Sequence, residues 1–267
     1  MCIGNNAGAN SQGVSSVAIG DGCGRTNQGD NSVAIGPDAG ARTQGTDCVA
    51  IGHNCASTGQ GNGSLAIGPS AGTYTQGAGS VAIGQSCATT NQGGLCVAVG
   101  AQAGENTQAT LAVAVGAQAG EVVQGTGSVS VGYLAGQQTQ GDNCVAVGRL
   151  AGRTGQGDES VAVGYNAGAN NQASFAVAFG SGAGEFSQQG STVAIGVNAG
   201  NGSQGAGAVS IGASSGLGNQ GTGGVAIGQS AAANVQGANA VAIGQSAGYT
   251  RQAAGAVAVG NQCGLWT

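Results

Sequence analysis

The chain is built from a motif that returns every sixteen residues without an insertion. Val17-Ala18-Ile19-Gly20 is its first complete copy, and Met1-Cys2-Ile3-Gly4 falls in the same register. The later copies begin at Val33, Val49, Leu65, Val81, Val97, Val113, Val129, Val145, Val161, Val177, Val193, Val209, Val225, Val241 and Val257. Self-similarity at one short, fixed period is typical of solenoids, in which each repeat packs only against its neighbours.

The repeat unit reads V-A-I/V-G-x-x-A-G-x-x-x-Q-G-x-x-S, and we number its positions as columns one to sixteen. Columns one and three hold branched apolar residues with few exceptions, which favours a β-strand. Column four is Gly in all seventeen units, which predicts a turn that needs a positive φ or a close backbone approach. Columns two, seven and sixteen hold only small residues, whereas columns nine to eleven, fourteen and fifteen vary as a surface does.

These patterns predict an all-β fold: a single parallel β-solenoid domain over residues 1–267, with about sixteen and a half coils and no linkers. Each coil is expected to contain a firm strand over columns sixteen to four and a shorter strand that begins near column seven. A helical fold is excluded because the chain has 58 glycines, each of which costs about 1 kcal/mol relative to Ala inside a helix. Disorder is disfavoured because the apolar residues recur in strict register.

The strand of each coil is constrained on both faces. Columns one and three share one face and columns sixteen and two share the other, because successive side chains of a strand point in opposite directions. Neither face shows the polar variation of a solvated surface. One face therefore lines the interior, and the other is expected to pack against another copy of the chain or another part of the assembly. Alternatively, the small residues only keep an exposed sheet flat. The pattern leaves open which face is the interior one.

Column twelve is Gln in every complete unit, whereas its neighbours vary. This fixity predicts a ladder of stacked amides, in which each side chain donates to the amide oxygen one coil away and a spare donor satisfies turn backbone. The alternative is a row of exposed amides that binds a polymer or ice. The predicted ladder consists of Gln12, Gln28, Gln44, Gln60, Gln76, Gln92, Gln108, Gln124, Gln140, Gln156, Gln172, Gln188, Gln204, Gln220, Gln236 and Gln252.

All eight cysteines replace small residues of the repeat. Cys2 lies in column two, four lie in column seven and three lie in column sixteen. The simplest interpretation is that each acts as a small buried hydrophobic residue. If columns seven and sixteen face each other, Cys48–Cys55 and Cys87–Cys96 are candidate disulfides. Cys2 and Cys263 lie in the terminal coils, where they are candidates for a bond between stacked molecules.

Residue patterns for catalysis or cofactor binding are missing from the sequence. His53 is the single histidine and lies in the variable turn after column four, where we expect solvent. The acidic residues form no recurring pair, and no C-x-x-C spacing suggests a metal. We therefore predict no catalytic, cofactor-binding or metal-binding residues, no cofactor, and no enzymatic activity.

Charge and hydropathy exclude two further classes of partner. The net charge is −5 and the five cations are scattered arginines, so nucleic acid is not an expected partner. No apolar run approaches the roughly 18 residues of a membrane span. Met1 is followed at once by repeat sequence, so no signal peptide is visible in this chain.

Segments such as Asn31-Ser32-Val33-Ala34-Ile35-Gly36 and Gly79-Ser80-Val81-Ala82-Ile83-Gly84 resemble the head repeats of trimeric autotransporter adhesins. The resemblance implies a left-handed parallel β-roll, association in threes, and binding to extracellular matrix or cells. Similar repeats occur in fibre-like proteins of phages and giant viruses, so it also implies an extracellular, cell-surface or virion-surface location. The adhesin repeat is typically shorter and lacks the Gln column, and the coiled-coil stalk and membrane anchor of that family are not seen here.

The sequence as a whole predicts a structural subunit of a fibre or surface appendage that assembles with itself, end to end or side by side. An end-to-end arrangement is expected because the repeat runs from Met1 nearly to Thr267 without polar capping coils, unless the chain is a fragment. Trp266 is then a candidate to cap the last coil or to contact a neighbour.

The alternatives are an adhesin-type head that binds an extracellular surface ligand, or an ice-binding solenoid. Ice binding predicts a regular outward array of threonines. The candidates alternate between columns ten and eleven and are interrupted; they are Thr26, Thr43, Thr58, Thr75, Thr90 and Thr107.

Overall fold

A computed structural model describes residues 1–264 of the chain. Every regular element in this part is a β-strand. The chain divides into two compact units, Met1–Leu134 and Ala135–Thr267. Whether they form the single domain expected from the sequence stays a prediction. The role considered for Trp266 lies outside the described residues.

One strand in each coil contains columns one to three, and we call these the Val strands. In the first unit they are Cys2–Ile3, Val17–Ile19, Val33–Ile35, Val49–Ile51, Leu65–Ile67, Val81–Ile83, Val97–Val99, Val113–Val115 and Val129–Val131. In the second unit they are Val145–Val147, Val161–Val163, Val177–Phe179, Val193–Ile195, Val209–Ile211, Val225–Ile227, Val241–Ile243 and Val257–Val259.

Within each unit, every Val strand pairs in parallel with the strand sixteen residues away. Val17 lies opposite Val33 and Ala18 opposite Ala34 in the first unit, and Val161 opposite Val177 in the second. Like residues therefore stack on like residues, coil after coil. The predicted parallel β-solenoid of sixteen-residue coils is confirmed.

The second row of strands ends at column twelve, and we call its members the Gln strands. In the first unit they are Asn10–Gln12, Thr26–Gln28, Thr107–Gln108 and Val123–Gln124. In the second unit they are Gln138–Gln140, Thr154–Gln156, Asn170–Gln172, Phe186–Gln188, Asn219–Gln220, Val235–Gln236 and Arg251–Gln252. In the coils between them, Gln44, Gln60, Gln76, Gln92 and Gln204 continue the row as single parallel bridges.

The predicted start of the second strand near column seven was wrong. Columns five to eight form a turn, and the Gln strands begin only at column ten or eleven. The physical reason is the backbone at column eight, where Gly24 and Gly40 have φ values of +50° and +54°. Here it closes a turn, in which the amide of Ala39 in column seven donates back to the carbonyl oxygen of Gly36 in column four at 3.1 Å.

The glycine of column four meets both requirements that its recurrence predicted. Gly20 has a φ of +131°, and a Cβ atom on it would lie 2.8 Å from the carbonyl carbon of Gly36 in the next coil. A side chain at this position would therefore be strained in conformation and would also contact the neighbouring backbone.

The interior of each coil is lined by the small residues, which settles the question that the sequence left open. Ala18, Ala34 and Ala82 of column two are fully buried, as are most residues of columns seven and sixteen. The Val and Ile side chains of columns one and three point outward and are half-exposed in most coils. The fully buried side chains of largest volume are glutamines, and in the described residues the buried apolar side chains are all small.

A larger side chain at column two should disrupt this thin interior. We expect Ala82→Leu to lower the free energy of unfolding by about 1–3 kcal/mol, because the extra methylene groups have no space. Val81→Leu is the matched control, since Leu65 occupies the same outward column naturally. Denaturant unfolding of both variants checks the prediction, and equal stability would contradict the inward direction of column two.

Candidate functional site

The glutamines of column twelve bridge the two strand rows across the interior of each coil. From Gln28 to Gln252 they are buried, with 3% exposure or less. The Nε2 atom of Gln28 donates to the carbonyl oxygen of Val17 at 2.9 Å and to that of Ser32 at 3.3 Å. The same bond from Gln44 to the Val33 carbonyl is 2.9 Å long. The amide protons thus bind backbone at the start of two successive Val strands, since Val17 is the first residue of one strand and Ser32 precedes the next, and they do not bind a turn.

Direct amide-to-amide bonds confirm the predicted ladder over parts of both units. In the first unit, Gln92 donates to the Oε1 atom of Gln108 at 3.0 Å, and Gln108 donates to that of Gln124 at 3.1 Å. In the second unit the ladder bonds run from Gln140 to Gln156, from Gln188 to Gln204, from Gln204 to Gln220, from Gln220 to Gln236 and from Gln236 to Gln252.

The ladder is interrupted in coils where the amide bonds only to backbone. Gln60 and Gln76 each donate to a column-one and a column-sixteen carbonyl and make no bond to the next amide. Gln108 makes the same two backbone bonds and also donates to Gln124. The amide oxygens left without a partner in the described residues are those of Gln28, Gln44, Gln60, Gln76, Gln92, Gln172 and Gln188.

This difference predicts unequal costs for one substitution. We expect Gln108→Leu to lower the free energy of unfolding by about 1–3 kcal/mol, because it leaves the Gln92 donor and the Gln124 acceptor without their ladder partner. Gln44→Leu breaks no ladder bond and removes an amide oxygen that has no partner, so its cost should be smaller. Paired denaturation curves measure the difference, and a larger loss for Gln44→Leu would refute it.

All eight cysteines are free thiols in the structure. Cys48 donates to the carbonyl oxygen of Gly61 at 3.0 Å, and Cys87 donates to that of Gly84 at 3.2 Å. Neither Cys48–Cys55 nor Cys87–Cys96 is bonded. The six cysteines between the terminal coils are buried, as expected of small hydrophobic residues, whereas Cys2 and Cys263 are exposed. A bond between molecules through these two thiols stays a prediction.

Burial raises the pKa of the Cys55 and Cys87 thiols to about 12, because the interior disfavours the thiolate. Burial also raises the pKa of Cys23, Cys48 and Cys96. A raised folded-state pKa stabilises the fold below the unfolded-state value, and that contribution is lost as the pH rises toward the folded-state value.

A thiol-specific reagent should therefore distinguish two classes of cysteine. At about pH 8 we expect Cys2 and Cys263 to react rapidly and the buried thiols to react only as the protein unfolds, since the thiolate is the reactive form. Mass spectrometry of the labelled protein identifies the sites, and labelling in denaturant supplies the control. Rapid labelling of Cys55 in the folded protein would contradict its buried position.

Side chains for metal binding or acid–base chemistry are not gathered in the part of the chain that the structure describes. His53 is exposed in its turn, as expected. Within residues 1–264 there is no group of three or more His, Cys, Asp or Glu residues that would hold a metal ion. In the same range, no helix is long and apolar enough to cross a membrane.

The outward side of the Val strands forms a second candidate site, which we call the aliphatic face. It consists of the column-one and column-three side chains, which include Val17, Ile19, Val33, Ile35, Val49, Ile51, Leu65, Ile67, Val81 and Ile83 in the first unit. The second unit has the same face, on which Phe179 is 55% exposed and Ile195 is 38% exposed. No polar residue occurs in either column at any coil after the first.

The candidate threonines of an ice-binding array do not form one ladder. Thr26, Thr58 and Thr90 are half-exposed in column ten, whereas Thr43, Thr75 and Thr107 are exposed in column eleven. Neighbouring coils therefore present threonine at different positions.

Sequence reasoning treated the five arginines as scattered and missed one local grouping. Arg25 and Arg42 line the same surface cavity of the first unit, together with Asp38, Asn54 and Tyr74. The signal was present in the repeat, because the two arginines occupy columns nine and ten of successive coils.

No protein-family model matches the chain, and no curated protein matches it.

Proposed function

We propose that this chain is a structural subunit of a fibre or surface appendage, and that it associates side by side with further copies of itself through the aliphatic face. The observation that supports this most directly is the outward direction of the Val and Ile side chains. Column two is the inward-facing column, and its small residues fill the interior without them.

Strand propensity alone does not explain the composition of the aliphatic face. Threonine is β-branched and favours strands as Val and Ile do, and a solvated strand face tolerates it. Threonine nevertheless occurs in neither column one nor column three of any unit. An outward face that is free of polar residues over so many coils is best explained by burial against a partner.

The size of the face supports an interaction site. The nine Val strands of the first unit, stacked about 4.8 Å apart with about 10 Å of strand each, present about 400 Å². Apolar patches larger than a few hundred Å² commonly mark interaction sites. A patch of this size is about half of what a standard interface buries on each partner, so association through one unit's face should depend on concentration.

A second copy of the chain suits this face better than an unrelated partner. Its side chains repeat at the spacing of stacked coils, so two copies match in period along their whole length of contact. The face has no charge that would select a charged partner. A fibre of this kind fits the extracellular or surface location that the adhesin-like repeats imply.

A charge on the aliphatic face should prevent the association. We expect wild-type protein to increase in mass with concentration in sedimentation velocity and to form rods associated side by side in electron micrographs. Ile51→Lys should weaken association at least about tenfold, because a buried unpaired ammonium group is costly. Thr75→Lys adds the same charge at an exposed site outside the face and should behave as wild type.

Wild-type protein that stays monomeric at every concentration would overturn the proposal. If such a monomer showed thermal hysteresis, the ice-binding alternative would replace it.

A further inference from the structure

A surface cavity of about 280 Å³ opens on the first unit, across four successive coils. Its lining residues come from columns six, nine and ten. Column nine supplies Ala41, Ser57 and Thr73, whose side chains are small. Column ten supplies Thr58 and Tyr74 on one side, together with Arg42, and column six supplies Asp38 and Asn54 on the other.

The cavity lies where column nine holds small residues in three of the four coils that it spans. In the preceding coil, the same column holds Arg25, which lines the cavity as well. Later coils place larger residues there, such as Glu105 and Tyr249. The Thr73 side chain is 4% exposed, and its hydroxyl group donates to the carbonyl oxygen of Ser70 at 2.8 Å. That hydroxyl is therefore held in place.

Two guanidinium groups line this cavity without a partner of their own. In the described part of the chain, no hydrogen bond or ion pair engages the side chain of Arg25 or Arg42. They are two of only five cations in a chain of net charge −5. Two unpaired arginines at one concavity are suited to bind a carboxylate or another oxyanion.

The remaining lining residues narrow the class of ligand. A bare oxyanion such as sulfate is repelled by the Asp38 carboxylate and offers it no proton. A ligand that also carries hydroxyl groups donates to Asp38 and to the amide oxygen of Asn54. Tyr74 is 56% exposed and presents an aromatic ring beside the cavity, against which the C–H groups of a sugar ring can pack.

We propose that this cavity binds a small hydroxylated carboxylate of the sugar-acid type. Its carboxylate lies between Arg25 and Arg42, and its hydroxyl groups face Asp38 and Asn54. The volume is near the lower end of small-molecule sites, so it suits a single sugar ring. The proposal does not rest on self-association, because the lining residues lie in columns outside the aliphatic face.

Titration with three probes tests the ligand chemistry by calorimetry or by amide chemical shifts. We expect D-glucuronate to bind, and D-glucose to bind at least about tenfold more weakly because it lacks the carboxylate. Sodium sulfate should also bind at least about tenfold more weakly, since it has no hydroxyl donors. Equal binding of sulfate and glucuronate, or no binding of glucuronate, would overturn the proposal.

Matched variants test the assigned residues. Arg42→Ala should reduce glucuronate affinity about tenfold, whereas Arg251→Ala removes an exposed arginine of the second unit and should leave it unchanged. Asp38→Asn should strengthen sulfate binding and reduce the preference for glucuronate. An unchanged affinity in Arg42→Ala with native circular dichroism would refute the site. Ile51→Lys should bind glucuronate as wild type does, so failure of self-association is distinguishable from failure of this site.

Discussion

The constraint on which the structure depends is the thinness of each coil. Sixteen residues enclose a space that is occupied by Ala methyl groups, Cys thiols, Ser hydroxyl groups and one buried Gln amide. The Gln side chain is long enough to reach the Val strand and carries donors for its carbonyl groups, as Gln28 does with Val17 and Ser32. A buried amide without such partners would destabilise the fold by a few kcal/mol. The same residue therefore fills the interior and connects the strand rows.

This interior explains why the branched residues lie outside. A Val or Ile side chain at column two would not fit above the glutamine, so Ala18 and Ala34 occupy that column and the alternation of the strand sends Val17 and Val33 outward. The consequence is unusual, because the largest aliphatic side chains contribute least to the interior. Their effect on stability depends on what covers them, which connects folding of the coil with association of copies.

Much of this architecture could be predicted from recurrence alone. The sixteen-residue period predicted the parallel pairing of Val17 with Val33, and the recurrence of glycine in column four predicted the positive φ of Gly20. The fixity of column twelve predicted the buried ladder. The second strand was placed too early because small residues at column seven suggest a strand, whereas they are buried within a turn. Which face of the Val strand is interior could not be predicted, since both faces lack polar variation. The cavity beside Arg42 was missed because it arises from departures from the repeat, and a consensus hides these.

The amide ladder shows how one repeated residue can have unequal roles. Each Nε2 group has two protons and three acceptors within reach: two backbone carbonyls and the next amide oxygen. Where both protons bind backbone, as in Gln60, the next amide oxygen is left without a donor. Gln108 makes the same two backbone bonds and also donates to Gln124, so these coils are joined by side chains as well as by backbone. The backbone pairing differs as well, since Gln60 pairs as a single bridge and Thr107–Gln108 as a strand. The junction between coils therefore varies along the chain even though the sequence at column twelve does not.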